Sequence, residues 1–393
     1  MKVLVAHTRY RQRGGEDAVA DHEVDLLRGE GCSVDTLLPK SVEFDTLPLL
    51  VRLGAGLNAG DHRYGRALIR MAFEKSGIPD VVHFHNLFPM LGFGAVKEAG
   101  RCGCATVVTL HNYRLSCLAG SHLWAGAPCE RCSPGHYGPG VARACYRGSR
   151  LQSAALSRGL ARYWEGLRSP RSRTVVLCLT EFMRERLVSR GLPTEAVVVK
   201  PNSVSDFGCN PDVSAHNGAL FIGRLTPEKG ALDLVRHWPA SAPSLTLAGD
   251  GRDLDPVRRE AGPNVHVLGA VSPETVRELL ATSRVLMLPS LGSEGGLPRV
   301  VLEAFAAGVP CAAFDVNSTR SALENAAAGV LSKPADFDVL AAAGMAVCIE
   351  SDADWQLRSR MARTRYEAQY TDERNARGLV EAYGFAIRLK KER

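Results

Sequence analysis

Two basic side chains five residues apart raise the first chemical question about this chain. In Gly223-Arg224-Leu225-Thr226-Pro227-Glu228-Lys229-Gly230 a guanidinium and an ammonium stand where a strand-like run ends and a helix begins. A diphosphate lies well at such a place, with the arginine forking to two oxygens, the lysine acting as a point charge and the helix N-terminus adding its dipole. On spacing alone the favoured reading is a solvated surface pair, since surface arginines and lysines are usually just that. A second segment, Ser293-Glu294-Gly295-Gly296-Leu297-Pro298-Arg299-Val300-Val301-Leu302-Glu303-Ala304, supplies two carboxylates. Pro298 suits the first turn of a helix, so Gly295 and Gly296 form the loop feeding it. Glu294 then falls in that loop and Glu303 one to two turns inside the helix. A carboxylate can accept both hydroxyls of a vicinal diol, as acidic residues do with ribose. The apolar neighbours Val300, Val301, Leu302 and Phe305 argue that Glu303 is largely buried, and a buried carboxylate needs a partner.

Other candidates are sparser. Gly14-Gly15 precedes a helical stretch, and paired glycines there let backbone N–H groups approach an anion, although an ordinary tight turn looks identical. Asp250, between Gly249 and Gly251, marks another loop that reads as turn chemistry. The dinucleotide fingerprint G-x-G-x-x-G is absent after the first strand, which weighs against a nicotinamide enzyme. Cys117, Cys129, Cys132 and Cys145 carry a Cys-x-x-Cys core with two flanking cysteines, a set that could hold a structural zinc as four thiolates, with His122 and His136 as alternative ligands. The alternative is several unconnected free thiols.

These residues need elements to position them. Short Val- and Leu-rich runs (Val3–His7, Cys32–Leu38, Val81–His85, Ala105–His111, Thr174–Leu179, Ala196–Lys200) alternate with helical stretches such as Glu16–Arg28 and Glu181–Arg190. The pattern restarts after Pro201 with Ala219–Ile222, Leu245–Ala248, Val265–Leu268, Val285–Leu288 and Pro310–Phe314. Continuous apolar runs predict strands buried on both faces, and strand–helix alternation predicts parallel sheets of βαβ units. At 393 residues the chain exceeds a single core. The expectation is two doubly wound domains, 1–200 and 201–370, with a Cys-rich insert at 113–147 and a C-terminal helix at 371–393 that packs back towards the first domain.

Composition excludes several classes. With 45% hydrophobic and 23% charged residues the chain is ordinary globular protein, not disordered or fibrous. No apolar run approaches a membrane span, and the first strand is too short for a signal-peptide core. Eleven cysteines, an odd number in so long a chain, do not make a secreted disulfide scaffold. A cytoplasmic protein is expected. Residues 101–173 hold eleven basic and two acidic side chains, a patch that attracts phosphates and anionic surfaces. Within it, residues 143–173 interleave arginines with Leu151, Leu160, Tyr163, Trp164 and Leu167, so peripheral contact with an anionic membrane is a second expectation beside a plain helix with one core-facing stripe. Nucleic acid is not expected as a partner.

Taken together, Gly-Arg-Leu-x-Pro-Glu-Lys-Gly (223–230), Glu-Gly-Gly-Leu-Pro-Arg-Val-Val-Leu-Glu-Ala (294–304), Ala-Ala-Gly-Val-Pro-Cys (306–311) and Lys-Pro-Asn-Ser-Val (200–204) resemble the retaining family 4 glycosyltransferases. The resemblance extends over essentially the whole chain, including the strand ending in Thr109-Leu110-His111-Asn112. It implies the GT-B fold: two facing Rossmann-like domains with an interdomain cleft, a nucleotide sugar (UDP- or GDP-linked) held mainly by the second domain, and a saccharide, lipid-linked or small-molecule acceptor held mainly by the first. By the same resemblance Arg224 and Lys229 hold the donor diphosphate and Glu303 the ribose. Gly14, Gly15, Gly249 and Leu297 line the donor site, while His111 and Glu294 act beside the transferred sugar. The family separates its two glutamates by seven residues. Here eight intervene, which puts Gly295 where the first glutamate belongs and calls for a bulge at Gly295-Gly296 if Glu294 is to reach the sugar. The implied chemistry is front-face transfer with retention, needing no metal and no protein nucleophile. A nucleotide-sugar epimerase of the same architecture and a non-catalytic nucleotide-sugar-binding protein are the rival expectations.

Overall fold

Alternating apolar runs close into two parallel sheets, described here from a computed structural model that covers every residue except 12–13, 53–60, 62, 170–171, 211, 293–294, 324–327 and 392–393. The first sheet is built from β1 (Lys2–Ala6), β2 (Ser33–Leu37), β3 (Val81–Phe84), β4 (Ala105–Leu110), β7 (Thr174–Cys178) and β8 (Val197–Val199). Its order is β2-β1-β3-β4-β7-β8, with every pairing parallel. Between β4 and β7 lies a short antiparallel hairpin, β5 (Leu123–Trp124) and β6 (Ala127–Pro128). Side chains alternate faces along each strand. Val3 and Val5 therefore join Val81, Val107 and Leu177 on one face, covered by the helices Gly15–Gly29 and Asp372–Lys391. Leu4 and Ala6 join Val82, Phe84 and Val108 on the other, under the helices Arg63–Ser76, Gly92–Arg101 and Arg150–Arg168. β2 departs from the expected double burial: no residue in it is fully buried, because it is the sheet's edge.

The second sheet runs β11 (Val265–Gly269), β10 (Leu245–Ala248), β9 (Ala219–Ile222), β12 (Val285–Leu288), β13 (Cys311–Phe314), β14 (Gly329–Ser332), again parallel throughout. Phe221, Leu247 and Met287 face one core with the helix Phe337–Ile349. Leu220 and Leu286 face another with the helices Arg299–Ala306 and Asp352–Gln369. Each such side chain, once buried, contributes roughly 1.5–3 kcal/mol. Ser272 caps the helix Pro273–Leu280 through Thr275 N, with Pro273 in its first turn.

The chain divides into two compact units. The first comprises Met1–His122, Cys129–Pro201 and Asn375–Arg393; the second comprises Leu123–Pro128 and Asn202–Arg374. Leu379, Ala382, Tyr383, Ala386 and Leu389 of the last helix are thus part of the first unit's core. In the basic stretch, Leu156, Leu160, Tyr163, Trp164 and Leu167 are buried in that same unit, leaving Arg150, Arg158, Arg162 and Arg168 exposed. The apolar face of this helix is spent on its own core.

Candidate active site

Open parallel sheets bind ligands beyond the carboxyl ends of their strands, and both units gather polar residues there. In the second unit, Gly223 and Arg224 follow β9, Gly249 follows β10, and the segment leading to Glu303 follows β12. These three strands are neighbours. Backbone bonds lock their loops together: Gly223 N–H donates to Ala248 O (3.0 Å), Leu225 N–H to Asp250 O (2.9 Å) and Leu291 N–H to Glu228 O (3.0 Å). Gly249, at φ 150°, lies so close that a Cβ would fall 1.8 Å from Gly223 O. Only glycine fits there, so Gly249 shapes the loop through its backbone.

Arg224 is largely exposed, its Nη2 4.0 Å from Glu228 Oε1. Lys229 ends a 3-10 turn, Pro227–Lys229, and the helix that follows, Ala231–Arg236, has only six residues. That corrects one expectation: so short a helix has little dipole to offer, and charge on a diphosphate would have to be met by the two side chains. Glu303 sits mid-helix, one-fifth exposed, and accepts from Arg299 Nε at 2.9 Å. The partner demanded by its burial is therefore Arg299, which the sequence reading passed over. Pro298 is the N-cap of the helix Arg299–Ala306, one position before the first turn. Leu297 is half-buried against the adjoining core. Glu294 lies outside the described residues.

In the first unit a pocket opens beyond β3 and β4, lined among others by Glu16, His85, His111, Asn112, Arg114 and Tyr163. Gly14 is the N-cap of the helix Gly15–Gly29, and its N–H donates to Asp17 Oδ2 at 2.8 Å, so this donor is already engaged. A Cβ on Gly15 would meet only open space. Glu16 accepts from Asn112 Nδ2 at 3.1 Å and from the Tyr10 hydroxyl at 2.5 Å.

Behind the pocket lies a buried polar cluster that the sequence reading did not find. His7 is 2.8 Å from Asp17 Oδ1 through Nε2, and its Nδ1 accepts from Asn86 N–H at 3.3 Å. His83 bonds the Tyr383 hydroxyl through Nδ1 and the Thr109 hydroxyl through Nε2, both at 2.7 Å. His85 Nδ1 is 2.8 Å from His111 Nε2. Lys200, directly after β8, donates to Glu23 Oε1 and to Asn375 Oδ1. Burial drives the imidazoles towards neutrality: His83 is pushed down to about 4, His85 well below its ordinary value, and His111 also down. Burial alone would raise Glu23, but the Lys200 ammonium and His83 outweigh it and hold the carboxyl below its usual range.

In the insert, Cys117 and Cys132 are buried and Cys145 packs against the same core. Arg143 Nη1 donates to Cys129 Sγ at 3.4 Å. His122 is engaged with Ser116 and with Cys129 O. Among the described residues, the group of three or more His, Cys, Asp or Glu ligand atoms within 4.8 Å of one another is Glu23, His83 and His85, not the cysteines.

Two domain profiles match this chain. A glycosyl transferase 4-like domain matches residues 11–203, and glycosyl transferases group 1 matches residues 216–348. Together they span well over half of the chain, and the chain belongs to the 4-like, group 1 glycosyltransferase family, with the GT-B fold. Among its relatives is glycogen synthase of Mycobacterium tuberculosis, 30% identical over 183 residues, which are 44% of this chain and 44% of that protein. The match thus covers less than half the length of this relative. Two solved structures share the fold over nearly the full length. Sucrose-phosphate synthase from Thermosynechococcus elongatus has TM-score 0.69 at 16% identity, covering 98% of both chains. Anabaena HepE in complex with UDP has TM-score 0.65 at 15% identity, covering 97% of this chain and 99% of that one. Among the described residues no helix is long and apolar enough to cross a membrane.

Proposed function

We propose that this protein transfers a sugar from a nucleotide-sugar donor to a hydroxyl of a saccharide, lipid-linked or small-molecule acceptor, with retention at the anomeric carbon. The observation carrying this reading is the set of interlocked loops beyond β9, β10 and β12, which brings Arg224, Lys229 and Gly249 to the carboxyl edge of one parallel sheet. Arg224 and Lys229 take the diphosphate and Glu303, freed from or shared with Arg299, the ribose. Departure of a nucleoside diphosphate from an oxocarbenium-like sugar leaves negative charge on the phosphate, and two cations preorganised there stabilise it. The leaving phosphate accepts the acceptor's proton, so no protein nucleophile is assigned. His111 meets the transferred sugar. A UDP-linked donor is favoured, since HepE, of the same fold, was solved with UDP; a GDP-linked donor is the second choice. The exposed arginines of the helix Arg150–Arg168 suit electrostatic contact with an anionic surface, such as the cytoplasmic face of a membrane carrying the acceptor.

A structural zinc in the insert is a further part of the proposal. Burial and the neighbouring thiols push Cys132 and Cys145 upwards, and thiolate ligation would relieve that crowding. Tetrahedral ligation at Zn–S of about 2.3 Å spaces sulfurs at about 3.8 Å, so the metal would draw the four together.

The test of transfer is sugar release. Incubated with its donor and no acceptor, a transferase slowly hydrolyses the donor; NMR of the freshly released sugar should show the donor's own anomer. Epimerised sugar would favour the rival enzyme, and no release from any donor would favour a binding protein.

A further inference from the structure

Behind the pocket His85 pairs with His111, and the inference rests on His111 as the imidazole that meets the ligand. His111 Nε2 and His85 Nδ1 are 2.8 Å apart, with ring planes 15° from parallel and centroids 5.1 Å apart. One proton must lie between these nitrogens, and both rings are neutral, which leaves two arrangements. The far side of His85 decides between them. Its Nε2 is buried without a hydrogen-bond partner and faces Glu23 Oε2 at 3.6 Å, itself buried without one. Glu23 is a carboxylate, held so by Lys200 on its other oxygen. A bare Nε2 would set a lone pair against that oxygen in a dry interior, whereas Nε2–H points its dipole at the charge.

His85 therefore carries its proton on Nε2 and is bare at Nδ1. The proton of the shared bond must then come from His111 Nε2, which leaves His111 bare at Nδ1. We propose that Glu23 fixes the tautomer of His111 through His85, so that the imidazole in the pocket offers Nδ1 as an acceptor for a ligand hydroxyl. Glu23 and His85 are positioning residues in this account. The surrounding groups are otherwise committed. His83 uses both nitrogens on Tyr383 and Thr109, His7 is tied to Asp17, and both Glu16 oxygens are taken by Asn112 and Tyr10. Glu23, His83 and His85 could be imagined around a cation. An imidazole offers an ion one nitrogen, so that would cost His83 one of its two hydrogen bonds and set the ion beside the Lys200 ammonium, and the proton arrangement is the one the site favours.

The experiment is long-range 1H–15N spectroscopy of the full chain labelled at histidine nitrogens, near pH 7.5 and without donor. His111→Ala and His85→Asn assign the signals. The expected result is a protonated Nε2 and bare Nδ1 on both residues. In Glu23→Gln, whose amide can donate or accept, His111 should become a mixture, with the minor tautomer rising several-fold. A His111 protonated at Nδ1 in the unsubstituted protein overturns the proposal, whether or not Glu23→Gln folds. So does a His111 tautomer unchanged in a folded Glu23→Gln protein, or a spectrum altered by EDTA, which would indicate a metal instead. Since no donor is present, failure of sugar transfer leaves this result untouched, and the two readings stand or fall separately.

Discussion

At the scale of single residues, the proposed donor edge rests on two cations, Arg224 and Lys229, and on a carboxylate, Glu303, that Arg299 already engages. Glu303 stood out by its run of apolar neighbours, whereas Arg224 and Lys229, five apart, were told from a solvated surface pair by the family resemblance. Arg299 as the partner of Glu303 was available from the same text, being four residues earlier on one helix face. His83 and His85 also left a mark: two residues apart, in β3 and just past its end, they come to one face. Their partners Glu23, Lys200 and Tyr383 come from three other elements, however, and no local pattern links residue 23 to 200 or 83 to 383. Two predictions belong here. Glu303→Ala should raise the donor KM more than it lowers kcat, because ribose contacts persist from ground state to transition state; steady-state kinetics with the identified donor would check it. The second concerns acid. His83 titrates near 6.5 when unfolded and about 4 when folded, so its stabilising contribution is complete above 6.5. As pH falls from 6.5 to 4 the unfolded chain takes up the proton first, and about 3 kcal/mol is lost. The lowered Glu23 acts in the same direction. Denaturant midpoints of the first unit measured from pH 7 to 4 should fall accordingly, and His83→Asn should flatten the slope.

Elements were the easiest level to read where a run was apolar and continuous. Ten strands other than β2 coincide with the Val- and Leu-rich stretches, β1 and β11 each running one residue past them, and most are buried on both faces, which leaves no alternation to hide in. β14 escaped since Gly329-Val330-Leu331-Ser332 is short, glycine-led and only partly buried, and β5 and β6 because two-residue strands carry no period. The helix Arg150–Arg168 shows the opposite limit: its sequence allowed a lipid-facing or a core-facing stripe, and only tertiary packing chose the core. The insert yields the prediction at this scale. Protein purified without added metal should contain about one zinc per chain, the stoichiometry of a four-thiolate site. Chelation should then speed proteolysis within 113–147 while nucleotide binding persists. Metal-free protein with a protease-resistant insert would reduce these cysteines to packing residues.

For the molecule as a whole, the restart of the strand–helix pattern after Pro201 announced a second doubly wound sheet, and the structure divides between Pro201 and Asn202. The last helix had a reason to return to the first unit that sequence could not display: without Leu379, Tyr383 and Ala386, the face of β1, β3 and β4 bearing Val3, Val81 and Val107 would keep only the cover of Val24 and Leu27 from the helix Gly15–Gly29. Binding of a nucleoside diphosphate by Arg224 and Lys229, in the loops beyond β9 and β10, is read most directly from thermal unfolding. A panel of nucleoside diphosphates is added to the unsubstituted protein and to Arg224→Ala and Lys229→Ala. Ligand at 100 times its Kd stabilises by about 2.7 kcal/mol, so one diphosphate, expected to be UDP, should raise the Tm of the unsubstituted protein. Either substitution should reduce or abolish that shift while leaving the ligand-free Tm unchanged. An equal shift in all three proteins would contradict the claim, as would no shift with any diphosphate.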